Sequence, residues 1–106
     1  MLNNIVLQGR LVLDPDLRRT QAGTAVANFT LAVDRDREVN GERITDFIDC
    51  VAWAGSAEFL SKYFRKGQMA IISGRLQSRD WEDKEGNKRR SWEVVANEIH
   101  FADSKR

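Results

Sequence analysis

A lone cysteine, Cys50, leaves this chain unable to close an intrachain disulfide and fits a reducing compartment. His100 is the only histidine, so a tetrahedral zinc site of cysteines and histidines has too few ligands to form. There is no glycine-rich phosphate loop, no pair of carboxylates at helical spacing and no nucleophile beside a base, which argues against an enzyme. Neither a metal nor a cofactor is expected. No run is long and apolar enough to cross a bilayer, and Met1-Leu2-Asn3-Asn4 leads into alternation instead of the apolar stretch of a signal peptide. A cytoplasmic address follows. An excess of one charge is missing too. Seventeen basic against 16 acidic side chains leave a net charge of +1, so any electropositive surface must come from local sorting. At 106 residues the chain supports one domain with one modest core.

That sorting is visible. Asp14, Asp16, Asp34, Asp36, Glu38, Asp46 and Asp49 crowd the first half, whereas the segment from Lys84 to Arg90 is mostly basic. The aromatics are placed in the same selective way. Phe47 and Trp53 stand towards opposite ends of one expected strand, and Trp81 lies among Arg75, Arg79, Lys84, Lys88, Arg89 and Arg90. Rings beside cations suit unpaired nucleic acid, because any base can stack on a ring while the cations hold the phosphates. The competing reading makes the rings core or subunit-interface residues and the charges a solvated surface.

Period-two alternation organises most of the chain. Ile5, Leu7, Gly9 and Leu11 share one face of a first strand and Val6, Gln8, Arg10 and Val12 the other, with both faces expected to be partly covered. Asp14-Pro15-Asp16 reads as a turn and Leu17 to Thr20 as a short extended piece. Ala25 to Asp34 is the cleanest strand. Asn40-Gly41 is the strongest hairpin signal, and its return strand sets Ile48, Cys50 and Ala52 against Phe47, Asp49, Val51 and Trp53. Phe59, Leu60, Tyr63 and Phe64 recur on one face of a short helix ended by Gly67, with Tyr63 and Phe64 expected to plug the core. Gln68 to Leu76 is a strand in which Gly74 marks a barrel corner. A charged hairpin then turns near Gly86 and returns through Phe101. Five strands, one short helix between the third and fourth, and two charged hairpins give the element order of an all-β OB-fold barrel.

Other candidates have plainer readings. Arg10, Arg18, Arg19 and Lys62 extend a possible basic track, although Arg18 and Arg19 equally suit turn surface. Trp92 is expected to pack over the fourth strand, with stacking under a ligand as its alternative. Cys50 reads as a small buried hydrophobe. Asp34, Asp36 and Glu38 share a face, but alternating Arg35 and Arg37 make an ion-pair hairpin the better reading than a metal cluster.

Several stretches resemble the bacterial-type single-stranded DNA-binding protein family, whose members coat exposed strands in replication, recombination and repair. They are Asn4-Ile5-Val6-Leu7-Gln8-Gly9-Arg10-Leu11, Asp14-Pro15-Asp16-Leu17-Arg18, residues 23–33 from Gly23-Thr24-Ala25 to Leu31-Ala32-Val33, Phe64-Arg65-Lys66-Gly67, Gly74-Arg75-Leu76 and Glu93-Val94-Val95-Ala96. The resemblance implies an OB-fold pairing through its first strand into dimers, and dimers joining as a homotetramer wrapped by single-stranded DNA. It places Phe47, Trp53 and Trp81 at stacking positions, Phe47 standing where a tryptophan is often found, and Arg10, Lys62 and Arg75 along the backbone. Arg79, Lys84, Lys88 and Arg89 join them as phosphate contacts on the reading of the hairpin itself. Trp92 stands where the family more often has a small polar residue and is assigned no role. The tryptophan that some members carry near Arg35-Asp36 is missing. Residues 1–103 are expected to form the binding domain and 104–106 to begin an absent or truncated tail of the kind that recruits replication and repair proteins. A nucleoid-associated location is implied. Two alternatives remain: a dimeric primosome-type accessory protein of the same barrel family, and a protein–protein adaptor using the rings as an interface.

Overall fold

The computed structural model describes residues 1–102. The expected domain end at 103 and the tail residues 104–106 lie outside the described residues. The chain folds as β1 (Ile5–Leu11), β2 (Asp16–Arg19), β3 (Ala25–Val39), β4 (Glu42–Trp53), α1 (Gly55–Tyr63), β5 (Met69–Glu82) and β6 (Lys88–Phe101). The strands run in the order β1-β5-β6-β4-β3-β2, and pairing of β1 with β3 closes five of them into a barrel. This is the OB-fold, with α1 between the third and fourth barrel strands in chain order. The expected short extended piece is β2, a four-residue ribbon beside β3.

Alternation explains which residues fill the barrel. Ala25, Ala27, Phe29 and Leu31 of β3, Cys50 and Ala52 of β4, Ala70 and Ile72 of β5, and Val94 and Ala96 of β6 are buried together. Leu60 and Phe64 from the helix end are fully enclosed among them. Small residues at Ala27, Ala52, Ala70 and Ala96 let the walls of a narrow barrel approach, while Phe29 and Phe64 supply bulk. Gly74 is the tightest point. A Cβ built there would stand 1.8 Å from the Val95 carbonyl oxygen, and the β5–β6 register slips by one residue between Ser73 and Gly74, so the strand turns its corner where only glycine fits.

Two long hairpins leave the barrel. In the β3–β4 arm Val39 pairs with Glu42, and the two intervening residues, Asn40 and Gly41, both take positive φ (53° and 79°), as a tight primed turn requires. Arg35 holds the Asp46 carboxylate with two bonds of 3.0 Å, and Arg43 reaches Glu38 at 3.9 Å, so charges on this arm satisfy one another. The β5–β6 arm ends in a turn built on Asp83, whose carboxylate accepts from the backbone N–H of Glu85 and of Asn87 and from Arg89. Those donors hold the Asp83 carboxyl below the usual carboxylate range, the Asn87 backbone N–H most of all.

Three expectations are corrected. The outer face of β1 is not covered: Val6, Gln8 and Arg10 are exposed, because no other segment among the described residues crosses that side. Tyr63 is not core. It is half exposed in the last turn of the helix, where it meets Phe59 in a tilted contact and Phe101 edge to face, and Phe64 alone of the two plugs the barrel. Trp92 does not pack over the fourth strand, being 58% exposed. Val51, in the same outward row as Phe47 and Trp53, is nevertheless buried, since it lies mid-sheet beside Val95.

Candidate nucleic-acid interface

Strand register places the three rings of the main hypothesis on one side. In β4, Phe47, Asp49, Val51 and Trp53 point away from the core residues Cys50 and Ala52. Val51 pairs with Val95 of β6, and Val95 pairs with Arg75 of β5. Directly paired residues share a face, so the outward row continues through Glu93, Ser91 and Arg89 on β6 and through Gln77, Arg79 and Trp81 on β5. Phe47, Trp53 and Trp81 therefore stand on one continuous sheet surface, exposed by 67%, 46% and 44%. The Trp81 indole N–H donates to Ser91 Oγ at 2.8 Å, which fixes the ring's orientation while leaving much of its surface open. Trp53 ends β4 just before Ala54, and that residue's φ of 55° turns the chain sharply into α1.

Charge on this surface is unevenly placed across the strands. Arg18 on β2 lies at one side, opposite Val26, and is paired with Asp16 of the same row at 3.0 Å, while Arg75 and Arg79 on β5 lie at the other side. Between them the central strands carry acids, Asp49 on β4 and Glu93 on β6, together with Thr30 and Asn28 on β3. Asp49 accepts from Thr30 Oγ1 at 3.2 Å and Glu93 accepts from Gln77 Nε2 at 2.7 Å. A cleft of about 260 Å³ here is lined by Asn28, Thr30, Asp49, Arg79 and Glu93, among others. The potential of this surface is most positive beside Arg75 and Arg79 on β5 and most negative at Asp49 and Glu93 in the middle. Sequence reasoning missed this acid centre, because Asp49 and Glu93 are neighbours only across the parallel β4–β6 pairing.

The expected phosphate contacts are not all on this side. Arg75, Arg79 and Arg89 belong to the outward row, with Arg75 donating to Gln77 and Arg89 held by Asp83 at 3.0 Å. By alternation Lys88, opposite Glu82, belongs to the reverse row, and Lys84 sits in the hairpin turn. Arg10 follows the outward side of β1 and donates to the Gly67 carbonyl oxygen at 3.0 Å. Lys62 projects from the last turn of α1 with its ammonium 5.4 Å from the centre of the Tyr63 ring. Arg18 and Arg19 form ion pairs with Asp16 and Glu58. Trp92 stands on the reverse side of the hairpin from Trp81, since it pairs with Ser78.

Cys50 and His100 come from different strands, and no group of three or more metal-ligating side chains forms among the described residues. Cys50 is buried in the barrel, and burial pushes its thiol up to about 12, with Asp49 and Glu93 adding to the effect. No helix among the described residues is long and apolar enough to cross a membrane.

The chain is similar to known proteins over nearly its whole length. The chain is 50% identical to single-stranded DNA-binding protein 2 of Listeria monocytogenes over 99% of its own length and 66% of that protein's. It is 48% identical to single-stranded DNA-binding protein 1 of Staphylococcus aureus over 99% of the chain and 68% of the relative. The corresponding protein of Enterococcus faecalis is 46% identical over 99% of the chain and 56% of the relative. The chain thus spans roughly half to two thirds of the length of these curated relatives. Residues 2–102 match the family described as single-strand binding proteins, and the chain belongs to that family.

Proposed function

We propose that this chain is a non-enzymatic coat for single-stranded DNA that binds without regard to sequence and serves replication, recombination and repair in the cytoplasm, on the nucleoid. The observation that carries the reading is the shared outward row of Phe47, Trp53 and Trp81, three exposed rings on one sheet surface flanked by arginines. Splayed bases stack on the rings, each at about 1–3 kcal/mol, and every base has such a face to offer. Arg75, Arg79 and Arg18 hold the phosphates at the flanks, with Arg89, Arg10, Lys62, Lys84 and Lys88 as further contacts along the path. In a duplex the base faces are hidden, so the surface favours unpaired strands. Coating blocks reannealing and limits nuclease access.

The assembly proposed is a homotetramer, a dimer of dimers. Its support in the chain is the uncovered outer row of β1, where Val6 is an exposed apolar side chain with polar Gln8 and Arg10 beside it, a surface suited to pairing with a second copy.

A fluorescence titration with oligo-dT at several salt concentrations tests the function. Trp53→Ala and Trp81→Ala are each expected to weaken binding about tenfold, within the range for one stacked base, with an unchanged circular dichroism spectrum. Replacing Arg75 and Arg79 by glutamine is expected to make the plot of log affinity against log salt shallower by about 0.7 for each phosphate no longer neutralised. Binding by both alanine variants at the strength of the parent protein would end the stacking mechanism.

A further inference from the structure

We propose that the reverse face of the β5–β6 hairpin is a second stacking site for single-stranded DNA, with Trp92 as its platform, reached by a strand that crosses the hairpin from the outward row. The inference rests on the single-strand reading above and adds a surface to it. Trp92 pairs with Ser78, and the rows alternate, so Trp92 shares its side with Leu76, Asp80 and Arg90 and faces away from Trp81, Ser91 and Arg89. One hairpin thus presents a tryptophan on each side.

The two indoles are held differently. Trp81 is tied to Ser91, whereas no hydrogen-bond partner of the Trp92 indole exists among the described residues, and 58% of the residue is open to solvent. A tryptophan serving as core would be closed in. Leu76, partly exposed and diagonal to Trp92 across the hairpin, extends the apolar surface. Its backbone is clamped on both sides by the Asn3 side chain, which donates to the Leu76 carbonyl oxygen at 2.8 Å and accepts from its N–H at 3.0 Å. Leu76 is therefore held at its place beside the ring, and the residue opposite Trp92 is the small Ser78.

One cleft touches both rows and stops at Asp80 and Arg90, the pair next to Trp92 in the reverse row. The cleft at the outer half of the hairpin, about 550 Å³, is lined by Trp81 and Arg89 of the outward row and by Asp80, Glu82, Lys88 and Arg90 of the reverse row. A strand leaving Trp81 passes this cleft to reach Trp92. Charge along it is nearly balanced, since Arg90 is held by Asp80 at 3.0 Å and Lys88 stands opposite Glu82. Binding at Trp92 is accordingly dominated by the ring and only weakly dependent on salt.

The test leaves Trp92 as the sole tryptophan in a Trp53→Phe, Trp81→Phe protein, whose phenyl rings keep the outward row aromatic. Binding of labelled oligo-dT is followed by anisotropy, and Trp92 by its emission. Short oligo-dT is expected to bind without quenching Trp92, and longer oligo-dT to bind and quench it. In the otherwise unaltered protein, Trp92→Ser is expected to weaken long oligo-dT about tenfold, to shorten the occluded length and to leave short oligo-dT unchanged. Two results overturn the proposal: Trp92 emission unmoved by a long strand that demonstrably binds, or emission that shifts with protein concentration before DNA is added, which would place a second copy of the chain on this face. If the unaltered protein binds neither length, both this site and the single-strand reading fall together.

Discussion

At the scale of single residues, Cys50 shows how the barrel decides chemistry. The side chain lies in the core between Phe29 and Val94, its cross-strand partners, and burial in that apolar surrounding disfavours the thiolate. Its value in the folded protein is raised from 9.0 to about 12. The unfolded chain therefore releases this proton first as pH rises, so the stability linked to Cys50 is complete below the unfolded value and is lost progressively between 9.0 and 12. Chemical denaturation at neutral and alkaline pH is expected to show a smaller alkaline loss for Cys50→Ala than for the parent protein. An equal loss in both would show that the thiol does not titrate differently on folding. At neutral pH the native thiol is expected to resist a disulfide reagent until the chain unfolds.

Elements meet at junctions that must aim the rings. The β4–α1 junction is the sharpest, since Ala54 has φ 55° and ψ −126°, a combination that a side chain tolerates poorly, directly after Trp53. Its N–H is tied to the Ala25 carbonyl oxygen at 2.7 Å, and its own carbonyl oxygen accepts from Glu58 of the helix. The surrounding hydrogen bonds hold the residue there. Ala54→Gly is expected to raise unfolding stability by about 1 kcal/mol, relief of strain exceeding the entropy that glycine adds to the unfolded chain. A denaturant midpoint that falls would show that the conformation carries no strain.

For the molecule as a whole, closure of the barrel is the decisive event. It depends on β5 bending at Gly74 and on β1 lying close to β3 at Gly9, where a Cβ would stand 2.7 Å from the Ala32 carbonyl oxygen. Gly74→Ala drives a methyl group into the Val95 backbone, which has no flexible end to yield. It is expected to cost about 3 kcal/mol or more, read as a lower urea midpoint, whereas Gly55→Ala, with nothing within 4 Å, is expected to change stability by less than about 1 kcal/mol. Similar midpoints for the two variants would contradict this view of the corner. Because β5 carries Arg75, Arg79 and Trp81 beyond that corner, the same bend sets the direction of the arm that bears these proposed contacts.

What the sequence determined by itself was whatever depends on near neighbours. Period-two alternation set Phe47 and Trp53 outward and Cys50 and Ala52 inward, Asn40-Gly41 made its hairpin, and the spacing of Leu60 and Phe64 turned both towards the barrel. The tertiary structure decided what depends on residues brought together from distant segments. Trp92 is left open because its opposite is a serine on another strand, Val51 is covered because Val95 lies beside it, and Val6 is bare because no other segment among the described residues covers it. The placing of Arg75 and Arg79 beside an acid centre of Asp49 and Glu93 arises only when β4, β6 and β5 are laid side by side, since alternation assigns a side chain to a face but not to a place across the sheet.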